Sequence, residues 1–229
     1  MYEWNDILIV GDSFAAARSE PDHWPMALTL KLTGHTYDQN KLPRGTGHAG
    51  CSWWSTRCEL LRELEIRVPK ILIICHTDSG RLPSDYDYGL NLGSMLDRKC
   101  VVAPDNIVEA ACRYYKYLHS SNFNAWAKKQ WLLDLDTILQ SANILIIHLH
   151  CFKEDIEFPL NRFGVTSAET LYEVGIAFYK NLGTHPSKLF DNHFKLPENL
   201  KIAAALYDTI INFKPEQNGT RQHLNLLQQ

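Results

Sequence analysis

The chain has 229 residues, of which 45 % are hydrophobic and 21 % charged, with a formal net charge of -3. That length suits one sizeable α/β domain of ordinary globular composition, and the weak negative charge gives no electrostatic reason to expect a nucleic acid or an anionic membrane as partner. No apolar stretch approaches the ~20 residues that span a bilayer, and the first strand-like run begins too early to leave room for a signal peptide, so a soluble, cytoplasmic chain is expected.

The apolar run "DILIV" predicts a buried strand that stops on Gly11-Asp12-Ser13. Downstream, Gly45, Gly47 and Gly50 spell G-x-G-x-x-G in "RGTGHAG". A dinucleotide fingerprint needs a preceding apolar strand, and "TYDQNKLPR" is polar, so these glycines are read as a loop that brings backbone close to a ligand. Residues 52–66 have helical spacing, with Trp54, Cys58, Leu61 and Leu64 or Glu65 on one face.

"KILIIC" predicts a second buried strand, which delivers His76, Thr77 and Asp78 at its end. Residues 82–106 carry Gly, Pro, Asp and Asn without periodicity and read as a long functional loop. A helix over 124–142 places Trp131, Leu135, Ile138 and Leu139 together, and "NILIIHLHC" predicts a third strand ending in His148, His150 and Cys151. Two histidines and a thiol suggest zinc, but with no clear third ligand they read as strand residues, and no metal site is expected. A last helix starts near Pro197 with Leu200, Ala203, Ala204, Tyr207 and Ile211 on its apolar face, and 214–229 is a polar tail beyond a single domain over 1–213. The six cysteines form no C-x-x-C pair and read as free thiols.

Strands alternating with helices imply a parallel sheet, in which ligands bind beyond the carboxyl ends of the strands. A serine there becomes a nucleophile only with a base and a group that orients the base. Asp191 and His193 stand in a short segment before the last helix; His185, followed by Pro186, reads as a surface-loop residue. "ILIVGDSF", "HAGCSWWS", "ILIICHTDSGR" and "FDNHFKLPENLKIAAAL" stand in the order and spacing of four sequence blocks, and the chain from about residue 5 to residue 213 thereby resembles the SGNH (GDSL-type) hydrolases.

The resemblance implies a three-layer α/β/α sandwich, flavodoxin-like, with about five parallel strands. It also implies hydrolysis of a carboxylic ester through an acyl-enzyme, with Ser13 as nucleophile, His193 as base and Asp191 as orienting acid. Ser13 N–H and Gly50 N–H would be oxyanion donors. Thr77 occupies the place where the family usually carries an Asn donor, and Asp191 lies two residues before His193 where the usual acid lies three before. A Ser-His dyad oriented by a backbone carbonyl is the alternative to the triad. Asp12, Arg81 and Trp53 are the expected neighbours of substrate, Asp12 also shaping its turn. The absence of a long apolar lid suggests a small acyl group, such as acetyl on a carbohydrate, and the chemistry needs no cofactor. Two rival readings are an inactive binding module of the same fold and a nucleotide-binding α/β protein using the glycine loop.

Overall fold

The computed structural model describes residues 1–16, 20–45, 47–48, 51–82, 90, 103–139, 142, 144–153, 164–167, 169–174, 177, 196–213, 222–224 and 226. Its centre is an open, all-parallel sheet. Three strands of six residues, β1 (Ile7–Asp12), β3 (Ile71–His76) and β4 (Leu145–His150), form the middle of it, every residue of β1 and β3 being buried. Strands buried on both faces read as unbroken apolar runs, which is why all three are visible in the sequence. Ile7 pairs with Ile71, and Ile71 with Leu145.

The sheet extends beyond these three. Among the described residues six strands pair in the order β2-β1-β3-β4-β5-β6, with β2 (Gly47–His48), β5 (Gly164–Ser167) and β6 (Gln222–Leu224) as short members. The expected count of about five strands is therefore low. β2, β5 and β6, of two, four and three residues, are too short to present a clear pattern, so only the three long strands are visible as apolar runs. β6 also corrects the reading of 214–229 as a loose tail: Thr166 pairs with His223, and Leu224 and Leu226 are buried in the core.

The chain leaves β1 toward β2 on one side and β3 toward β4 on the other, so the strand order reverses between β1 and β3. A crevice at the carboxyl ends of two such strands is where open parallel sheets bind ligands.

Alternation along the strands divides the core in two. Ile7, Ile9, Ile71, Ile73 and Ile147 meet α1 (Trp24–Thr33) and α5 (Leu196–Asn212), while Leu8, Val10, Leu72, Ile74 and Ile146 meet α2 (Trp53–Ile66) and α4 (Ser121–Leu139). Between β3 and α4 lies α3 (Asp105–Tyr117), which packs Val108 and Ala111 in a small separate cluster with Leu90. Among the described residues, no helix is long and apolar enough to cross a membrane.

Three helical faces differ in part from the expected ones. On α2 the buried residues are Thr56, Glu59 and Leu60, whereas Trp54 and Cys58 face solvent. Adjacent tryptophans offer two overlapping stripes, and stacking of Trp53 on Trp131 (6.2 Å between centroids) selects the one that excludes Trp54. On α5 the core takes Ile202, Ala203, Ala205, Leu206 and Ile210, leaving Leu200 and Ile211 exposed. Likewise Ile138 of α4 is exposed, and Leu132 is buried in its stead.

α1 and α5 are also joined by a polar link. The Asn199 side chain accepts a hydrogen bond from Trp24 N–H (3.1 Å), capping the first turn of α1, where Pro25 follows.

Candidate functional site

β1 ends in a chain reversal that exposes little but positions much. Asp12 closes the strand and Ser13–Ala15 form a single 3-10 turn, with the Asp12 carboxylate accepting from Ser13 N–H. A side chain that caps its own following turn is the expected use of Asp at such a point. Trp24 Nε1–H donates to the Phe14 carbonyl at 2.6 Å, tying the turn to α1.

Close backbone packing makes glycine necessary on both sides. Gly11 has φ of 136°, and a Cβ there would stand 2.1 Å from the Cys75 carbonyl oxygen of β3. At Gly47 a Cβ would stand 2.1 Å from the Asp12 carbonyl oxygen. The glycine-rich loop thus brings its backbone against β1 and the serine turn, in keeping with its reading as a close-approach segment.

The Asp12 carboxylate gathers the site. Ser13 Oγ donates to its Oδ1 at 2.8 Å, Thr77 Oγ1 donates to its Oδ2 at 2.8 Å, and Arg81 Nη1 lies 3.0 Å from Oδ2. Asp12 is fully buried and Arg81 nearly so. A charge so placed is tolerated only when paired and hydrogen-bonded, which this one is from three directions. Arg81 Nη1 also donates to the Cys51 carbonyl (3.2 Å), and its guanidinium lies over the Phe152 ring (5.4 Å). Arg81 thereby links β1, the start of α2, and the end of β4.

The segment from Thr77 to Arg81 is held locally. Asp78 Oδ1 accepts from Gly80 N–H at 2.7 Å, a turn that redirects the chain after β3. Tyr115 of α3 pins the adjoining backbone: its hydroxyl accepts from Leu82 N–H (3.2 Å) and points its hydrogen toward the Leu90 and Gly80 carbonyls (2.6 and 2.8 Å). Burial raises the Tyr115 pKa, keeping the hydroxyl a donor.

Of the residues expected at the site, Ser13, Asp12, Thr77 and Arg81 come together, although Ser13 and Arg81 are far apart in the chain. Trp53 is half-buried and stacks on Trp131 beside the core. Gly50, Asp191, His193 and His185 lie outside the described residues.

His148 and His150 do not join Cys151. They project to the α4 side of the sheet with His76, while Cys151 packs in the core on the α1 side. Among the described residues, no group of three or more His, Cys, Asp or Glu is arranged to hold a metal ion. The histidines instead stack. His76 Nε2 and His148 Nδ1 are 2.8 Å apart, with ring centroids at 5.1 Å, and His150 stacks on His76 at 5.4 Å. Lys128, fully buried on α4, sends Nζ to the Thr77 carbonyl at 2.6 Å. Lys128 stands on the same helical stripe as Trp131, Leu132 and Leu135, where a lysine is out of pattern, and that mismatch is the one sign of it in the sequence.

Burial lowers all three imidazole pKa values. His148 falls to about 3 and His150 to about 4; His76 falls well below the usual value, with His148, Lys128 and His150 adding to the effect of burial. All three are neutral in the fold, whereas the unfolded chain protonates them near pH 6.5. Stability is therefore complete above about pH 6.5 and is lost as pH falls toward 4, by up to ~1.4 kcal/mol per pH unit for each histidine. Urea unfolding at pH 7, 6 and 5 is expected to show this steep loss, with a shallower slope for His148→Asn; equal slopes in the two proteins would contradict the assignment.

Compared with protein-family models, with curated proteins and with solved structures, the chain matches none.

Proposed function

We propose that the chain is a serine esterase of the SGNH type, built as a three-layer α/β/α sandwich, which hydrolyses a carboxylic ester through an acyl-enzyme on Ser13. The observation that carries this reading is the placement of Ser13 one residue past the central strand β1, at the reversal of strand order, with its hydroxyl joined through Asp12 to Thr77 and Arg81. Residues of two separate sequence blocks, Asp12 and Ser13 of the first and Thr77 and Arg81 of the third, form one hydrogen-bonded unit at the place where parallel sheets bind ligands.

In this mechanism the Ser13 hydroxyl turns from Asp12 Oδ1 toward His193, which takes its proton as the oxygen attacks the ester carbonyl. His193 then protonates the departing alcohol, and afterwards activates the water that releases the acid. Asp191 orients His193. The Ser13 N–H and the Thr77 hydroxyl, which donate to Asp12 before substrate binds, turn to the oxyanion and receive it beside the Gly50 N–H. Each such donor is worth about 3 to 4 kcal/mol in acyl transfer. Asp12 and Arg81 hold the serine turn and the segment after Gly50 in register. The acyl group is small, an acetyl ester of a carbohydrate being the favoured substrate.

Mass spectrometry of protein quenched during turnover of p-nitrophenyl acetate tests the covalent step. An acetyl increment is expected on the peptide that contains Ser13. Turnover with no adduct there, or with the adduct on another residue, would refute the nucleophile.

A further inference from the structure

The outer face of α4 carries an unusual load of apolar side chains. Lys128, Trp131, Leu132, Leu135 and Leu139 face the sheet, and the opposite side presents Phe123 (60 % exposed), Trp126 (57 %) and Leu133 (39 %). With Gln130 and Thr137 these residues follow steps of three, four, three and four, a straight seam along a helix of 19 residues, about 28 Å long. Phe123 and Trp126 already pack ring to ring at 5.8 Å, and Tyr117 and Leu118, just before α4, are more exposed still. Large aromatic side chains gathered on one face at this spacing are the composition of an interface rather than of a solvated helix.

The charges beside the seam identify what covers it. Lys129 and Asp136 flank it on the same side, seven residues apart, and neither has an ion-pair partner among the described residues. Asp136 is half-buried, and burial lifts its pKa to about 6. Seven residues on a helix span about 10 Å, too far for the two to neutralise each other within one chain.

Laying a second α4 antiparallel against the first, about a two-fold axis near residues 131 and 132, sets Trp126 against the partner's Thr137 and Gln130 against the partner's Leu133. In antiparallel helix pairs, flanking positions on one side meet the same kind of position on the other helix. Lys129 then meets the partner's Asp136, and the symmetry makes that pair twice. A parallel copy would bring Lys129 to the opposite flank, against the partner's exposed Asp134; only the antiparallel copy gives a counter-charge to Asp136, the half-buried carboxylate that lacks one among the described residues of its own chain.

We infer that the outer face of α4 is a two-fold, antiparallel interface with a second copy of this chain, closed by Lys129 and the partner's Asp136. An isologous contact of this kind is self-complementary, and the Lys129–Asp136 pairs on its flank set the register. The inference is independent of the esterase reading.

Sedimentation equilibrium of the full chain tests it. The expected mass is twice the 26.3 kDa of the chain. Trp126→Glu, at an exposed position that leaves the core intact, is expected to give the single-chain mass with an unchanged circular dichroism spectrum. Lys129→Asp and Asp136→Lys should each weaken the dimer by about tenfold or more, and combining them in one chain should restore it, because the pair is re-formed with its signs exchanged. Wild type at the single-chain mass, a dimer indifferent to Trp126→Glu, or a double variant weaker than either single one would each overturn the proposal. Should Asp136→Lys fold poorly, Leu133→Glu carries the same prediction as Trp126→Glu.

Discussion

Replacing Ser13 with alanine is expected to abolish ester hydrolysis, lowering kcat by at least about a thousandfold, while leaving the fold intact. The two halves of that expectation have different causes. The activity loss comes from removing the only atom that forms the acyl bond in the proposed mechanism, for which Asp12 and Thr77 offer no substitute. The small structural effect reflects the bonds that remain: without Ser13 Oγ, the Asp12 carboxylate still accepts from Ser13 N–H and Thr77 Oγ1 and still pairs with Arg81. Loss of one of several hydrogen bonds to a carboxylate costs on the order of 1 to 2 kcal/mol. Initial rates on p-nitrophenyl acetate, with urea unfolding of the same samples, check both. Full activity in Ser13→Ala would reject the serine mechanism, and inactivity of both proteins on a range of small esters would favour a binding module of the same architecture.

The second large effect concerns Arg81. Arg81→Met is expected to destabilise the chain by about 3 to 5 kcal/mol, since it leaves the buried Asp12 carboxylate without a counter-charge. The loss exceeds that of a surface ion pair such as Arg113 with Glu109, where water screens both groups and truncation costs under about 1 kcal/mol. Arg81 also supplies the link to the Cys51 carbonyl and its stack on Phe152, so the β1, α2 and β4 ends loosen together. Adding Asp12→Asn to Arg81→Met removes the stranded charge and is expected to recover a large part of the loss. Denaturant midpoints for the two single variants and the double variant complete the cycle. Additive losses would mean that Asp12 and Arg81 do not stabilise each other.

The sheet and the serine turn were legible because they rest on local chemistry. Buried parallel strands must be apolar along their whole length, so β1, β3 and β4 announce themselves as "DILIV", "KILIIC" and "NILIIHLHC". Gly11-Asp12-Ser13 is legible for the same reason: glycine alone fits against Cys75, and an aspartate caps its own turn. Thr77 and Arg81 were legible as candidates from their order along the chain.

Other features depend on contacts between segments distant in sequence. Two stripes on α2 satisfy helical periodicity equally well, and the choice between Trp53 and Trp54 is made by Trp131, 78 residues beyond Trp53. β6 has too few residues to signal a strand and exists because β5 offers a free edge to pair with. The role of Asp12 as the hub of Ser13, Thr77 and Arg81, and the neutral histidine stack beside Lys128, arise only when β1, β3, β4 and α4 converge. Sequence by itself determined which groups stand at the strand ends, because backbone sterics and the burial of apolar strands act over a few residues. Tertiary structure alone decided which of those groups share a proton or a charge, because hydrogen bonds and desolvation depend on distances that no local pattern encodes.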